Sequence, residues 1–249
     1  MAGLPPASAA GPFSPALGRL NDPATIIGTV RHNPSTVVVL VGEVSDALLA
    51  AVGRSMNVSV IRPPAETGSR PGSRPEDDPV GDLLSRAAEA LARAARSGLP
   101  YVLVPADPLA AVAAQWRAMW DVSRPAEGTA GFELQAGLAL AAWRAGRFEL
   151  PDYYVEIAPA ETAETTETGQ AGPDLYLGPL RSARPHRVAV VAAPDGPELA
   201  ARVLQALGSL RPGPWWPPLD DLLDIARHFY PGQLAGAENG AMLPASVPG

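Results

Sequence analysis

Three carboxylates each follow a short apolar run: Glu43 after TVVVLV (36–41), Asp107 after YVLVP (101–105) and Asp195 after RVAVVAA (187–193). Runs of this length, rich in β-branched residues, are the mark of buried strands. In open sheets of parallel strands, ligands bind beyond the strands' carboxyl ends. If Glu43, Asp107 and Asp195 converge there, they offer oxygen donors to Mg²⁺ or Mn²⁺, and with the metal, phosphoryl or hydrolytic chemistry. The competing role is structural. Asp107 precedes Pro108, and Asp195 stands three residues before Glu198 with capping-box spacing, so both sit where helix N-caps belong.

Three other groups carry chemical potential. Asp224 and His228 stand i,i+4 near the end of the last helical segment, one turn beyond Asp220, a spacing that lets a carboxylate orient an imidazole as a general base. The helix dipole alone also favours acids early and Arg227 or His228 late, so an exposed structural role competes. Arg181, Arg184, His186 and Arg187 make a basic cluster suited to a phosphate or an acidic partner, or to pairing with Glu156 and Asp174. Pro214-Trp215-Trp216-Pro217-Pro218 is the most unusual segment. Adjacent tryptophans in an extended stretch point opposite ways, so one ring packs on the core while the other faces a groove or solvent. Exposed tryptophan is enriched at binding hot spots and proline reduces the ordering cost, which makes Trp215 and Trp216 candidate partner-binding residues. The alternative is that both fill space under the final helix.

What is missing narrows the chemistry further. All nineteen basic residues are arginine and there is no cysteine, a pattern that fits a GC-rich bacterial genome. Lysine-free, the chain has no Schiff-base lysine for pyridoxal phosphate and no P-loop lysine. Cysteine-free, it has no thiolate nucleophile, cysteine metal site or disulfide. The turn after the first strand, VGEVSD, has one glycine and two acids, not the three glycines of a dinucleotide fingerprint. No GxSxG, HExxH or EF-hand pattern occurs. Net charge is −7 with pI near 5.0, which argues against nucleic acid or an anionic membrane surface as partner. The N-terminus lacks a signal-peptide pattern and no apolar run is long enough to span a bilayer, so the expected location is cytoplasmic.

The elements that position these groups are legible in outline. Strands are expected at 36–41, 58–61, 101–105, 152–158 and 187–193, with 174–180 as a further strand that can form an antiparallel edge hairpin with 187–193. Helices are expected at 45–54, capped by Ser45 or Asp46, at 80–97, from Pro108 past Trp116, and at 131–147, 195–210 and 218–230. The 131–147 helix is apolar almost all round and is expected to be packed on more than one side. Strand–helix alternation of this kind produces an α/β fold: a largely parallel sheet of five to six strands covered by helices, Rossmann-like but without the dinucleotide fingerprint. One domain is expected over 25–232. It is interrupted by flexible inserts at 63–79 (PPAETGSRPGSRPEDDP) and 159–173 (PAETAETTETGQAGP) and flanked by loose segments 1–24 and 233–249. The function expected from these features is non-catalytic, a protein-interaction or adaptor module using Trp215 and Trp216. The alternative is a metal-assisted hydrolase or phosphotransferase using Glu43, Asp107 and Asp195.

Overall fold

A computed structural model describes residues 35–64, 79–120, 123, 125–158 and 174–229. The expected segments 1–24 and 233–249, the insert 159–173 and most of 63–79 lie outside them. Five strands form one sheet: β1 (Thr36–Gly42), β2 (Val58–Val60), β3 (Tyr101–Val104), β4 (Tyr153–Ala158) and β5 (Val188–Ala192), in the order β2-β3-β1-β4-β5. Every pairing is parallel, with Val38 opposite Leu103 on one side and Tyr153 on the other. This is a Rossmann-like arrangement, as the alternation of elements predicts.

Period-two alternation along the strands builds two cores. Val37, Val39, Val41, Val102, Val104 and Tyr154 face one layer, packed by helices α2 (Pro79–Ala94), α3 (Ala110–Ala118), α4 (Pro125–Arg144) and α6 (Leu219–His228). Val38, Leu40, Leu103, Val155 and Ile157 face the other, packed by α1 (Asp46–Val52) and α5 (Pro197–Ser209). Right-handed crossovers explain the division: the chain leaves β1 in one direction along the sheet and returns through β3, β4 and β5 in the other. Connections from β1 and from its neighbours β3 and β4 therefore depart to opposite faces, and crevices open beside the carboxyl end of β1.

Local chemistry sets the boundaries. Ser45 caps α1, its Oγ accepting from Leu48 N at 3.1 Å. Helix α4 is longer than its periodicity predicts, starting at Pro125. Gly128 lies inside it, where α4 passes the end of α3 so closely that a Cβ would stand 2.4 Å from the Ala118 carbonyl oxygen. The expected strand at 174–180, and with it the antiparallel hairpin, is not formed. Tyr176–Leu180 is a π-helical turn continuing into a short α segment, Arg181–Ala183. Asp174 Oδ1 accepts from the backbone N–H of Tyr176 at 2.8 Å and of Leu177 at 3.0 Å, and this local cap competes successfully with a sheet ladder.

Candidate functional site

Two cavities flank Gly42, the last residue of β1. Its φ of +84° turns the chain sharply, and a Cβ at this position would lie 2.3 Å from the Ile157 carbonyl oxygen. One cavity, about 480 Å³, lies over the ends of β1, β4 and β5 and is lined by Glu43, Ser45 and Asp195 among others. The other, about 470 Å³, lies between the ends of β1 and β3, under α2 and α3. Leu83, Ala87, Pro105, Ala110 and Ala113 give it an apolar lining; Arg86, Asp107, Arg117 and Tyr176 are its polar groups.

Asp107 is the most constrained of these. It is 8 % exposed, accepts from the hydroxyls of Tyr176 at 2.6 Å and Tyr154 at 3.0 Å, and is also bonded by the Leu109 N–H. Burial raises its pKa to about 6, with the Tyr176 hydroxyl bond the strongest opposing influence. Burial, then the charge of Asp107, pushes both tyrosine pKa values well above the ordinary range, so both remain donors. One strand position beyond Tyr154 on the same face is Glu156. Burial and the neighbouring Asp174 raise its pKa to about 8. No donor reaches the buried Glu156 Oε2. Burial and the charge of Asp174 both disfavour ionised Glu156, so its protonated form is favoured. Asp174 Oδ2 accepts from Arg117 Nη2 at 2.9 Å, which ties the acid pair to the cavity rim.

The carboxylates expected to converge are divided. Glu43 and Asp195 line the β1–β4–β5 cavity and Asp107 the other. Among the described residues, no group of three or more His, Asp or Glu side chains is arranged to hold a metal ion. Neither aspartate is an N-cap. α3 begins at Ala110 and α5 at Pro197, each without a side-chain cap, because a turn at Pro108–Leu109 and Gly196 at φ +120° intervene. Asp195 Oδ1 instead accepts from Gly196 N at 2.9 Å and Ser45 Oγ at 3.2 Å.

The Asp224–His228 dyad does not form either. His228 Nδ1 lies 2.8 Å from the Asp224 backbone oxygen, while the Asp224 carboxylate pairs with Arg227, which also grips Glu133 with two bonds of 2.9 Å. The arginine cluster is turned onto carbonyl oxygens. Arg187, 6 % exposed, donates to Pro214 O at 2.6 Å, Gly213 O at 2.8 Å and Asp152 O at 2.8 Å, and its guanidinium lies 4.6 Å from the Trp215 ring centroid. Arg184 donates to Trp215 O at 2.6 Å; Arg181 is exposed. The expected anion site at Arg181, Arg184 and Arg187 is thus, for the last two, a clamp on the tryptophan segment. Trp216 is in the core, donating to Pro151 O at 2.7 Å and packed edge-on against Tyr154, so only Trp215 of the pair offers a surface.

Tyr154, Glu156, Asp174 and Tyr176 were not singled out by sequence reasoning as a site. The one available signal was a glutamate inside an otherwise apolar strand, YYVEIA. Among the described residues, no helix is long and apolar enough to cross a membrane. Comparison with family models, with curated proteins and with solved structures found no match to this chain.

Proposed function

We propose that the chain is a non-catalytic binding module that takes a small organic ligand in the cavity between the ends of β1 and β3. The observation that carries this reading is the position and wall of that cavity: about 470 Å³ at a topological switch point, with a buried carboxyl fixed by two tyrosine hydroxyls. The polar groups are already held by protein partners, Asp107 by Tyr154 and Tyr176 and Arg117 by Asp174, which suits a pre-organised receptor better than a proton-transfer centre. Apolar lining and the rim arginines Arg86 and Arg117 select a ligand with an apolar body and one acidic group. A ligand-observed NMR screen of apolar fragments, with and without a carboxylate, tests this on the full chain. Ala114 is an exposed cavity-lining residue, so Ala114→Trp plugs the cavity from its rim. Acidic fragments should bind the native chain and lose binding to the plugged variant. An absence of hits, or hits indifferent to the plug, refutes the reading.

A second reading, a protein-interaction surface, is favoured by Trp215, which is 38 % exposed and lies against the Arg187 guanidinium. Affinity capture from the native host with Trp215→Ala as control tests it: a partner retained equally by the variant counts against a tryptophan-centred surface.

A further inference from the structure

Helix α4 is apolar on both sides, and its outer side has an order that the core does not explain. Phe132, Ala136 and Ala139 face inward. On the opposite side Glu127, Ala130, Leu134, Gly137, Ala141 and Arg144 are all exposed. Their spacing is 3-4-3-4-3, a heptad seam. Leu134 is 61 % exposed and Leu138, beside the seam, 41 %. A helix apolar all round is ordinarily covered all round.

The seam is symmetric about its midpoint, between Gln135 and Ala136, in both size and charge. Two copies of α4 laid antiparallel on a twofold axis there would place Leu134 over Gly137, Ala130 against Ala141, and Glu127 beside Arg144, each pair occurring twice. A Cβ built at Gly137 meets nothing within 4 Å, so the space that would receive Leu134 of a second copy is open. The small residues allow close approach of the backbones, and the end charges attract: the acid sits at the helix N-terminus and the arginine at the C-terminus of an antiparallel neighbour. Both end charges already have an interaction within their own chain, Arg144 with Asp220 at 3.3 Å, yet both residues remain exposed. We infer that this face binds a second copy of the chain through an antiparallel α4–α4 contact. Charge complementarity favours this occupant, since a parallel copy would set Glu127 against Glu127 and Arg144 against Arg144.

From Glu127 to Arg144 the seam is about 26 Å long, and with a helix about 10 Å wide it covers roughly 260 Å² per copy. Stable dimers bury about 800 Å² per partner, so the association is weak, with Kd expected somewhere between about 10 µM and about 1 mM.

Sedimentation velocity of the full chain from about 10 µM to about 1 mM spans that range and should show dimer growing with concentration. Gly137→Arg should raise Kd about tenfold or more with an unchanged thermal melt. Glu127→Arg and Arg144→Glu should each weaken the dimer, and the double exchange should restore it. The chain has no cysteine of its own, so orientation is directly testable. Ala130→Cys combined with Ala141→Cys should cross-link two chains on oxidation, whereas Ala130→Cys alone should not. In the antiparallel dimer its two copies lie about 16 Å apart along the axis, beyond the roughly 7 Å reach of a disulfide. A monomer at all concentrations, association untouched by Gly137→Arg, or cross-linking by Ala130→Cys alone would each overturn the inference. The last outcome would assign a parallel pairing, and a monomer would mean that the face is covered otherwise or not at all.

Discussion

Replacing Tyr176 by Phe removes one hydroxyl from the wall of the cavity and nothing else. That hydroxyl donates to Asp107 Oδ2 at 2.6 Å, and both groups are buried. The cost depends on the charge of Asp107. With a pKa of about 6, the carboxyl is ionised at pH 8 and protonated at pH 5. A hydrogen bond to a charged group contributes about 1.5–3 kcal/mol and a neutral one about 0.5–1.5 kcal/mol. Tyr176→Phe should therefore cost about 2 kcal/mol at pH 8 and about 1 kcal/mol at pH 5. The difference of about 1 kcal/mol corresponds to a rise of about 0.7 in the Asp107 pKa of the folded protein. The direction follows from linkage. Asp107 has a raised folded pKa, so the folded state binds a proton that the unfolded state releases, and its contribution to stability falls as pH rises from about 4 to about 6. Losing Tyr176 steepens and extends that fall. Urea denaturation at pH 5, 6, 7 and 8 measures it, with Asp107→Asn as the background in which the pH dependence of the Tyr176→Phe effect should vanish. Equal destabilisation at pH 5 and pH 8, or a larger loss at pH 5, would refute the assignment of this carboxyl as the group that titrates against the tyrosines.

Glu156→Gln replaces a carboxyl that burial and Asp174 hold protonated with a neutral amide of similar shape. Because the Glu156 pKa is raised to about 8, native stability should decline as pH rises from about 4.5 to 8, and the variant should match it at pH 5 while exceeding it at pH 9 by on the order of 1–3 kcal/mol in urea titrations. Arg187→Lys cannot reproduce a planar fork that reaches the carbonyls of Gly213, Pro214 and Asp152 while stacking on Trp215; it should cost about 2 kcal/mol and red-shift tryptophan emission as Trp215 gains water. Gly42→Ala forces a side chain into φ +84° and against the Ile157 carbonyl, so a loss of about 2 kcal/mol or more in thermal or urea unfolding is expected, with an unaltered midpoint counting against the described turn.

Strand and helix identities were legible because they depend on near neighbours. Val37 to Val41 reads as a buried strand from five adjacent side chains, and the alternation of such runs with amphipathic helices implies parallel pairing through right-handed crossovers. The two-sided apolarity of α4 was equally local. The failures share one cause. Residues 174–180 alternate like a strand, but Asp174 caps the following N–H groups. Gly178 also lets the turn pack against Phe229, where a Cβ would stand 3.0 Å from the ring. Asp107 has the local setting of a helix cap, yet its tyrosine partners lie 47 and 69 residues away. Arg184 and Arg187 look like an anion site until the carbonyls of residues 213–215 are brought to them. Hydrophobic period and turn chemistry are written within a few residues, so the sequence by itself determined the class of fold, whereas strand order, and with it which strand ends border a crevice, was set by long-range pairing. The partner of a buried polar group is chosen by which distant segments the packed sheet brings together, so only the tertiary structure decided which carboxyls share a site.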